Sequence, residues 1–153
     1  MADKKGKREV VLASGVFDLL HLGHVRFLEE AKKAGGKNAE LIVIIARDST
    51  VENKKGRKPI MSENQRRALV ESLKVVDEAV LGFEKFDLGD VVERIKPDII
   101  ALGYDQKEVE KATKKYVNSH KLDIRVVRIG KFEEDELDSS SKIRQKIVEK
   151  FVR

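Results

Sequence analysis

The chain has no cysteine and no tryptophan, and it carries only two prolines, two tyrosines and six phenylalanines. Without cysteine there is no disulfide, no thiol nucleophile and no thiolate metal ligand. No apolar run approaches the roughly 20 residues needed to cross a bilayer, and Met1–Arg8 is too polar for a secretory signal, so a cytoplasmic protein with no membrane partner is expected. No Gly/Ser/Pro-rich linker divides the chain, and residues 1–153 are expected to form one domain. Four motifs are also missing: the dinucleotide fingerprint G-x-G-x-x-G, the phosphate loop G-x-x-x-x-G-K-[ST], the G-x-S-x-G elbow, and any His/Asp/Glu set with zinc spacing. Their absence weakens the readings as ordinary oxidoreductase, phosphate-loop NTPase, serine hydrolase and zinc hydrolase, and no metal-ligating side chains are assigned.

What the chain has in abundance is charge. Asp, Glu, Lys and Arg make up 39% of the residues, with 32 basic against 27 acidic and a net charge of +5. That excess suits a small polyphosphate ligand better than a nucleic acid, so no nucleic-acid partner is expected. A charge-rich, cysteine-free composition also occurs in heat-adapted proteins laced with surface ion pairs.

Apolar segments alternate between two periods. Val10–Ala13, Leu41–Ala46, Glu78–Leu81, Asp98–Leu102 and Ile124–Ile129 read as buried strands. Helical spacing follows His24 and recurs over Asp87–Ile95 and Lys107–His120. Two further helices are marked by caps, Ser62 with Gln65 ahead of a helix to about Leu73, and Ser139 or Ser140 ahead of one ending near Phe151. Arg47–Pro59 reads as a polar loop. Strands alternating with helices predict an α/β fold: a Rossmann-like, doubly wound sheet of about five parallel strands with helices on both faces and ligands beyond the carboxyl ends of the strands.

One segment at such an end carries chemistry. Ser14-Gly15-Val16-Phe17-Asp18-Leu19-Leu20-His21-Leu22-Gly23-His24 joins the first strand to the first helix. The first turn of a helix leaves backbone N–H groups unpaired at the positive end of its dipole, a place that attracts anions. His21 and His24, three apart, can face one anion, and a nearby polyphosphate would favour protonated rings able to offset charge on a leaving pyrophosphate. Gly23 would let a ligand approach the backbone. Taken alone, two histidines at a helix start are most often just solvated; the strand, glycines and helix around these two favour phosphate chemistry.

Three other segments fall at strand ends. Lys54, Lys55, Arg57 and Lys58 crowd the Arg47–Pro59 stretch and are expected to act as a mobile basic lid, although a solvated charge run has the same pattern. One of Arg66 and Arg67 is expected to reach the cleft, and Arg66 is counted with the lid. Asp105, after the fourth strand, could accept hydrogen bonds from ribose hydroxyls, help hold a hydrated metal ion, or cap the next helix. Ser140 and Arg144, at the start of the last helix, could hold a phosphate, and simple capping explains the serines equally well.

With these residues in view, the chain resembles the cytidylyltransferase-like nucleotidyltransferases, whose hallmark is a His-x-Gly-His turn after the first strand, here His21-Leu22-Gly23-His24. The likeness runs from Val10 to about Ile147 and includes Gly15-Val16-Phe17-Asp18, Gly103-Tyr104-Asp105 and Ser140-Ser141-Lys142-Ile143-Arg144 in the family's order. Within the family, Ala46-Arg47-Asp48 and Lys55-Gly56-Arg57-Lys58-Pro59-Ile60 are most similar to the archaeal group that adenylylates FMN. The resemblance implies transfer of AMP from ATP to FMN, giving FAD and pyrophosphate, with a divalent metal such as Mg held mainly by phosphates, in a homodimer. It implies that Val16, Phe17, Leu22 and Gly23 line the nucleotide, that His21 and His24 hold its phosphates, and that Asp105 touches the nucleoside. Three alternatives stay open: a cytidylyltransferase acting on glycerol 3-phosphate, a phosphopantetheine adenylyltransferase, and a sensor module that binds ATP without turning it over.

Overall fold

The computed structural model describes residues 7–84, 87–133 and 135–152. Most of the amino-terminal segment whose polarity argued against a signal, residues 1–6, lies outside them. Strands β1 (Val10–Gly15), β2 (Glu40–Ile45), β3 (Glu78–Leu81), β4 (Ile99–Leu102) and β5 (Arg125–Arg128) form one sheet in the order β3-β2-β1-β4-β5, with every neighbouring pair parallel. Between and after them run helices α1 (Leu22–Ala34), α2 (Asp48–Lys55), α3 (Glu63–Glu71), α4 (Leu88–Ile95), α5 (Lys107–Ser119) and α6 (Ser140–Phe151). No helix among the described residues is long and apolar enough to cross a membrane.

The sheet is apolar on both faces because side chains alternate along each strand. Val11 and Ala13 of β1, Leu41, Val43 and Ile45 of β2, and Ile99 and Ala101 of β4 share one face with Leu28 and Ala31 of α1 and Val70 of α3. Leu12, Ile44, Ile100 and Leu102 turn to the opposite face, against Val91, Leu88 and Ile95 of α4. Each fully buried side chain of this size contributes about 1.5–3 kcal/mol. The expected strands and helices are present, with ends within a residue or two of the sequence reading.

One element differs. Arg47–Pro59 is not a loop through most of its length: Asp48–Lys55 is helical and ends at Gly56, whose φ of 74° lies in the left-handed region open to glycine. Val51 is the single buried residue of that helix, so it carries no apolar stripe for periodicity to detect. Its amino end is held from outside instead. The Asp48 N–H donates to Glu63 Oε1 at 2.9 Å, and the Glu63 N–H returns a bond to Asp48 Oδ2 at 3.4 Å.

The strand order positions the site. From β1 the chain moves outward to β2 and β3, then crosses back to lay β4 and β5 on the other side of β1. Connections therefore leave the carboxyl ends of β1 and β4 in opposite directions, and a crevice opens between them.

Candidate active site

A cavity of about 670 Å³ lies over that crevice. Five separate stretches of chain line it: the β1–α1 turn, α2 with the residues just after it, Gly103–Gln106 following β4, Gly130–Phe132 following β5, and the start of α6. The volume is in the range usual for small-molecule sites.

The turn after β1 is strained and tied down. Phe17 and Leu19 have φ of 54° and 50°, left-handed values that cost a non-glycine residue about 1–3 kcal/mol. Core packing holds Phe17 there: its ring is buried in the main apolar cluster with its centroid 5.2 Å from that of His24. Asp18, also buried, acts as a clamp. Its carboxylate accepts from the N–H groups of Ile60 and Met61 at 2.8 and 3.0 Å, and its carbonyl accepts from Ser140 Oγ at 2.5 Å. One residue thus joins the histidine turn to the segment leaving α2 and to the first turn of α6. Sequence reasoning gave Asp18 no role, because none of its partners is a neighbour in the chain.

His21 is the N-cap of α1 and His24 lies three residues in. Their rings stack with centroids 3.7 Å apart, and the His21 N–H donates to His24 Nδ1 at 3.3 Å. With that lone pair engaged, the proton of neutral His24 sits on Nε2, which becomes a donor. Burial, then the neighbouring His21, lower the pKa of His24 from 6.5 to about 3 against the opposing pull of Asp18. The His21 pKa is lowered as well, by burial, while Asp138 pulls it upward. Sequence reasoning treated the two rings as interchangeable cations; burial makes His24 a neutral donor and leaves His21 as the ring beside a carboxylate.

Gly23 is required by protein packing and not only by ligand access. A Cβ at this position would stand 2.5 Å from the Asp138 carbonyl and 2.9 Å from His21 Cε1. Gly23→Ala must push the Asp138 loop away from the histidines. An overpacking cost of about 1–3 kcal/mol is expected, read as a melting temperature lower by several degrees; unchanged melting would mean that the loop yields freely.

The structure brings most of the expected residues together. Val16, Phe17, His21, Gly23 and His24 line the cavity, as do Asp105, Ser140 and Arg144. Lys55, Arg57 and Lys58 form a basic wall with Lys54. Ser139 caps α6 by accepting from the Lys142 N–H at 3.2 Å, which leaves the Ser140 hydroxyl to bond Asp18. Gln106, and not Asp105, occupies the N-cap of α5, and Asp105 is exposed in the cleft.

Two expectations fail. Leu22 is 36% exposed and does not line the cavity, because the first turn of α1 aims it outward. Arg66 does not belong to the lid. It is fully buried beneath the site, where Nε donates to the Met61 carbonyl at 3.0 Å, Nη1 to the Val16 carbonyl at 2.7 Å and Nη2 to Asp48 Oδ1 at 2.7 Å. Arg67 is turned away too, pairing with Glu71 at 3.2 Å. Neither arginine reaches the cleft. What the reading missed is a support layer of Arg66, Asp48, Glu63 and Arg47, the last bonding both Glu63 at 3.0 Å and the Gly82 carbonyl at 2.7 Å.

The arrangement of paired histidines at a helix start, basic walls and a β1/β4 crevice agrees with a family comparison. The profile of the cytidylyltransferase-like family matches residues 12–146. The chain belongs to the cytidylyltransferase-like family. Similar members of known name include a FAD synthase of Methanothermobacter marburgensis, 49% identical over 95% of this chain and 89% of its own length. A FAD synthase of Thermoplasma volcanium is 50% identical over 91% of this chain and 94% of its own. Among solved structures, a lipopolysaccharide core biosynthesis protein from Thermoplasma volcanium GSS1 superposes with a TM-score of 0.73 at 49% identity, covering 82% of this chain and 98% of that one. This cytidylyltransferase-like chain thus matches the two FAD synthases over more than nine-tenths of its length.

Proposed function

We propose that this chain transfers AMP from ATP to FMN, giving FAD and pyrophosphate. The observation that carries the reading is the stacked His21–His24 pair at the floor of a basic cleft, in a chain half identical to FAD synthases across nearly its whole length. An oxygen of the FMN phosphate attacks the α-phosphorus of ATP, the bond to the β-phosphate oxygen breaks, and pyrophosphate departs. The attacking group needs no protein base, since a phosphate monoester with a second pKa of about 6 is already largely a dianion at neutral pH. Positioning and charge stabilisation then supply the catalysis.

In this reading His24 Nε2–H and His21 donate to the phosphate oxygens that gain charge in the transition state. The first turn of α1 adds its free N–H groups and the positive end of its dipole. Lys55, Arg57 and Lys58 close over the triphosphate, Arg144 and Ser140 face it from α6, and Asp105 takes the nucleoside. In this reading a divalent cation enters with the triphosphate as part of the substrate, held mainly by phosphate oxygens, and no step runs through a protein-held ion. A cytoplasmic, homodimeric enzyme built as one domain over residues 1–153 completes the reading.

The test is substrate choice. Purified protein offered FMN or glycerol 3-phosphate, each with ATP or CTP, is expected to release pyrophosphate fastest with FMN and ATP, and chelating the divalent ion is expected to stop turnover. Faster release from glycerol 3-phosphate with CTP would assign the protein to cytidylyl transfer, and binding of ATP without turnover of any pair would make it a sensor.

A further inference from the structure

Among the described residues three buried side-chain polar atoms have no hydrogen-bond partner, and two of them belong to residues that line the same cleft: Nδ1 of His21 and Oδ2 of Asp138. A buried polar atom left so has given up its hydration without gaining a partner. The two residues are close neighbours, since the Asp138 carbonyl and His21 Nδ1 stand 2.5 and 3.0 Å from the single point a Gly23 Cβ would occupy. The Asp138 side chain is only 4% exposed, and its other oxygen is held by Lys142 Nζ at 2.9 Å.

We propose that Asp138 is a positioning residue for His21: when phosphate binds, Oδ2 accepts the Nδ1–H of a His21 imidazolium, so that His21 offers a charged Nε2–H while His24 offers a neutral one. The inference rests on the adenylyl-transfer reading and divides the work of the two rings. Stacked at 3.7 Å, two imidazolium rings would repel, so the pair holds at most one positive charge, and the surroundings decide where. His24 cannot take the proton at Nδ1 without losing the bond from the His21 N–H. The carboxylate nearest to it, Asp18, is already occupied by the Ile60 and Met61 N–H groups. His21 Nδ1 only approaches the His24 backbone N–H in a capping box and makes no full hydrogen bond, and the Asp138 carboxylate, with Oδ2 unpaired, acts on its ring.

The charged groups acting on the histidine pair come from two places: Asp138, with its partner Lys142 at the start of α6, acts on His21, and Asp18 in the β1–α1 turn acts on His24, which also feels His21. In the unliganded protein burial outweighs Asp138 and keeps the ring neutral. A polyphosphate adds negative charge on the other side of the ring and tips the balance.

Asp138→Asn keeps the shape and removes the charge. For wild type, kcat at saturating ATP and FMN is expected to fall on the alkaline side as His21 loses its proton. Asp138→Asn is expected to move that limb down by about one pH unit and to lower kcat on it about tenfold, with the KM for ATP little changed. Ring-nitrogen NMR of the protein with a non-hydrolysable ATP analogue provides a readout independent of turnover. His21 should appear as imidazolium in wild type and neutral in Asp138→Asn, with the His24 signal unchanged in both. An unmoved pH limb with an evenly reduced rate, or a neutral His21 in the wild-type complex, overturns the proposal. Should Asp138→Asn fail to fold, Lys142→Gln replaces it: losing the cation beside Asp138 should shift the limb upward, and no shift is equally fatal. Failure of wild type to make FAD would refute the enzymatic reading, while the NMR titration would still judge the His21–Asp138 pair.

Discussion

His24→Ala is expected to lower kcat by about 10²–10³-fold while the KM for ATP rises no more than a few fold. The half-buried ring packs against Phe17 and His21 at the cleft, and its Nδ1 is committed to the His21 N–H. Its Nε2–H is therefore a donor aimed by the fold and not by the ligand. A donor fixed in that way contributes most where charge develops during the reaction, and its loss appears in rate more than in binding. Steady-state kinetics of wild type and variant check the split, and equal kcat values would remove His24 from catalysis.

The same ring makes stability depend on pH. Its folded pKa of about 3 lies below the ordinary 6.5, so protons bind preferentially to the unfolded chain. The contribution is full above about 6.5 and is lost as the pH falls toward about 3. Wild type should lose melting temperature across that window more steeply than His24→Ala, as a thermal scan at several pH values would show.

Arg66→Ala is expected to destabilise the protein by about 3–5 kcal/mol, because it leaves partners of a buried cation uncompensated. In a chain of this length that is a fall in melting temperature of roughly 10 °C. Arg66 spends its three donors on three segments: Val16 in the histidine turn, Asp48 at the start of α2, and Met61 just before α3. Arg66→Lys should recover little, since a single ammonium on a flexible stem cannot reach three acceptors in a fixed planar fork. The loss should extend to function, because α2 carries Lys54 and Lys55 on the cleft wall. Calorimetry and the KM for ATP test the two effects separately. A stable Arg66→Ala variant with normal kinetics would show that the support layer is dispensable.

Much of the fold was legible because it rests on local pattern. β-branched runs such as Leu41–Ile45 mark strands covered on both faces, and Ser62 and Ser139 announce helix starts by accepting the expected N–H three residues on. The helix α2 was invisible for the converse reason. With one buried side chain it has no stripe, and its amino end is satisfied by Glu63 from another element. Arg66 was misread because sequence records a charge but not its burial. A cation near a cleft and one beneath it look identical until Val16, Asp48 and Met61 are seen to surround the guanidinium.

By itself the sequence determined an alternating α/β chain with a His-x-Gly-His turn at a strand-to-helix junction, a basic stretch after β2, and no thiol chemistry. Those properties follow from residue type and spacings of a few positions. Only the tertiary structure decided that the chain reverses between β1 and β4, that Asp18 clamps segments up to 122 residues away, and that the Asp138 carbonyl fills the space a Gly23 side chain would need. It also decided which histidine is neutral and which has a carboxylate beside it. The reason is physical: burial and hydrogen-bond partners are set by segments remote in the chain, and they control where a proton resides.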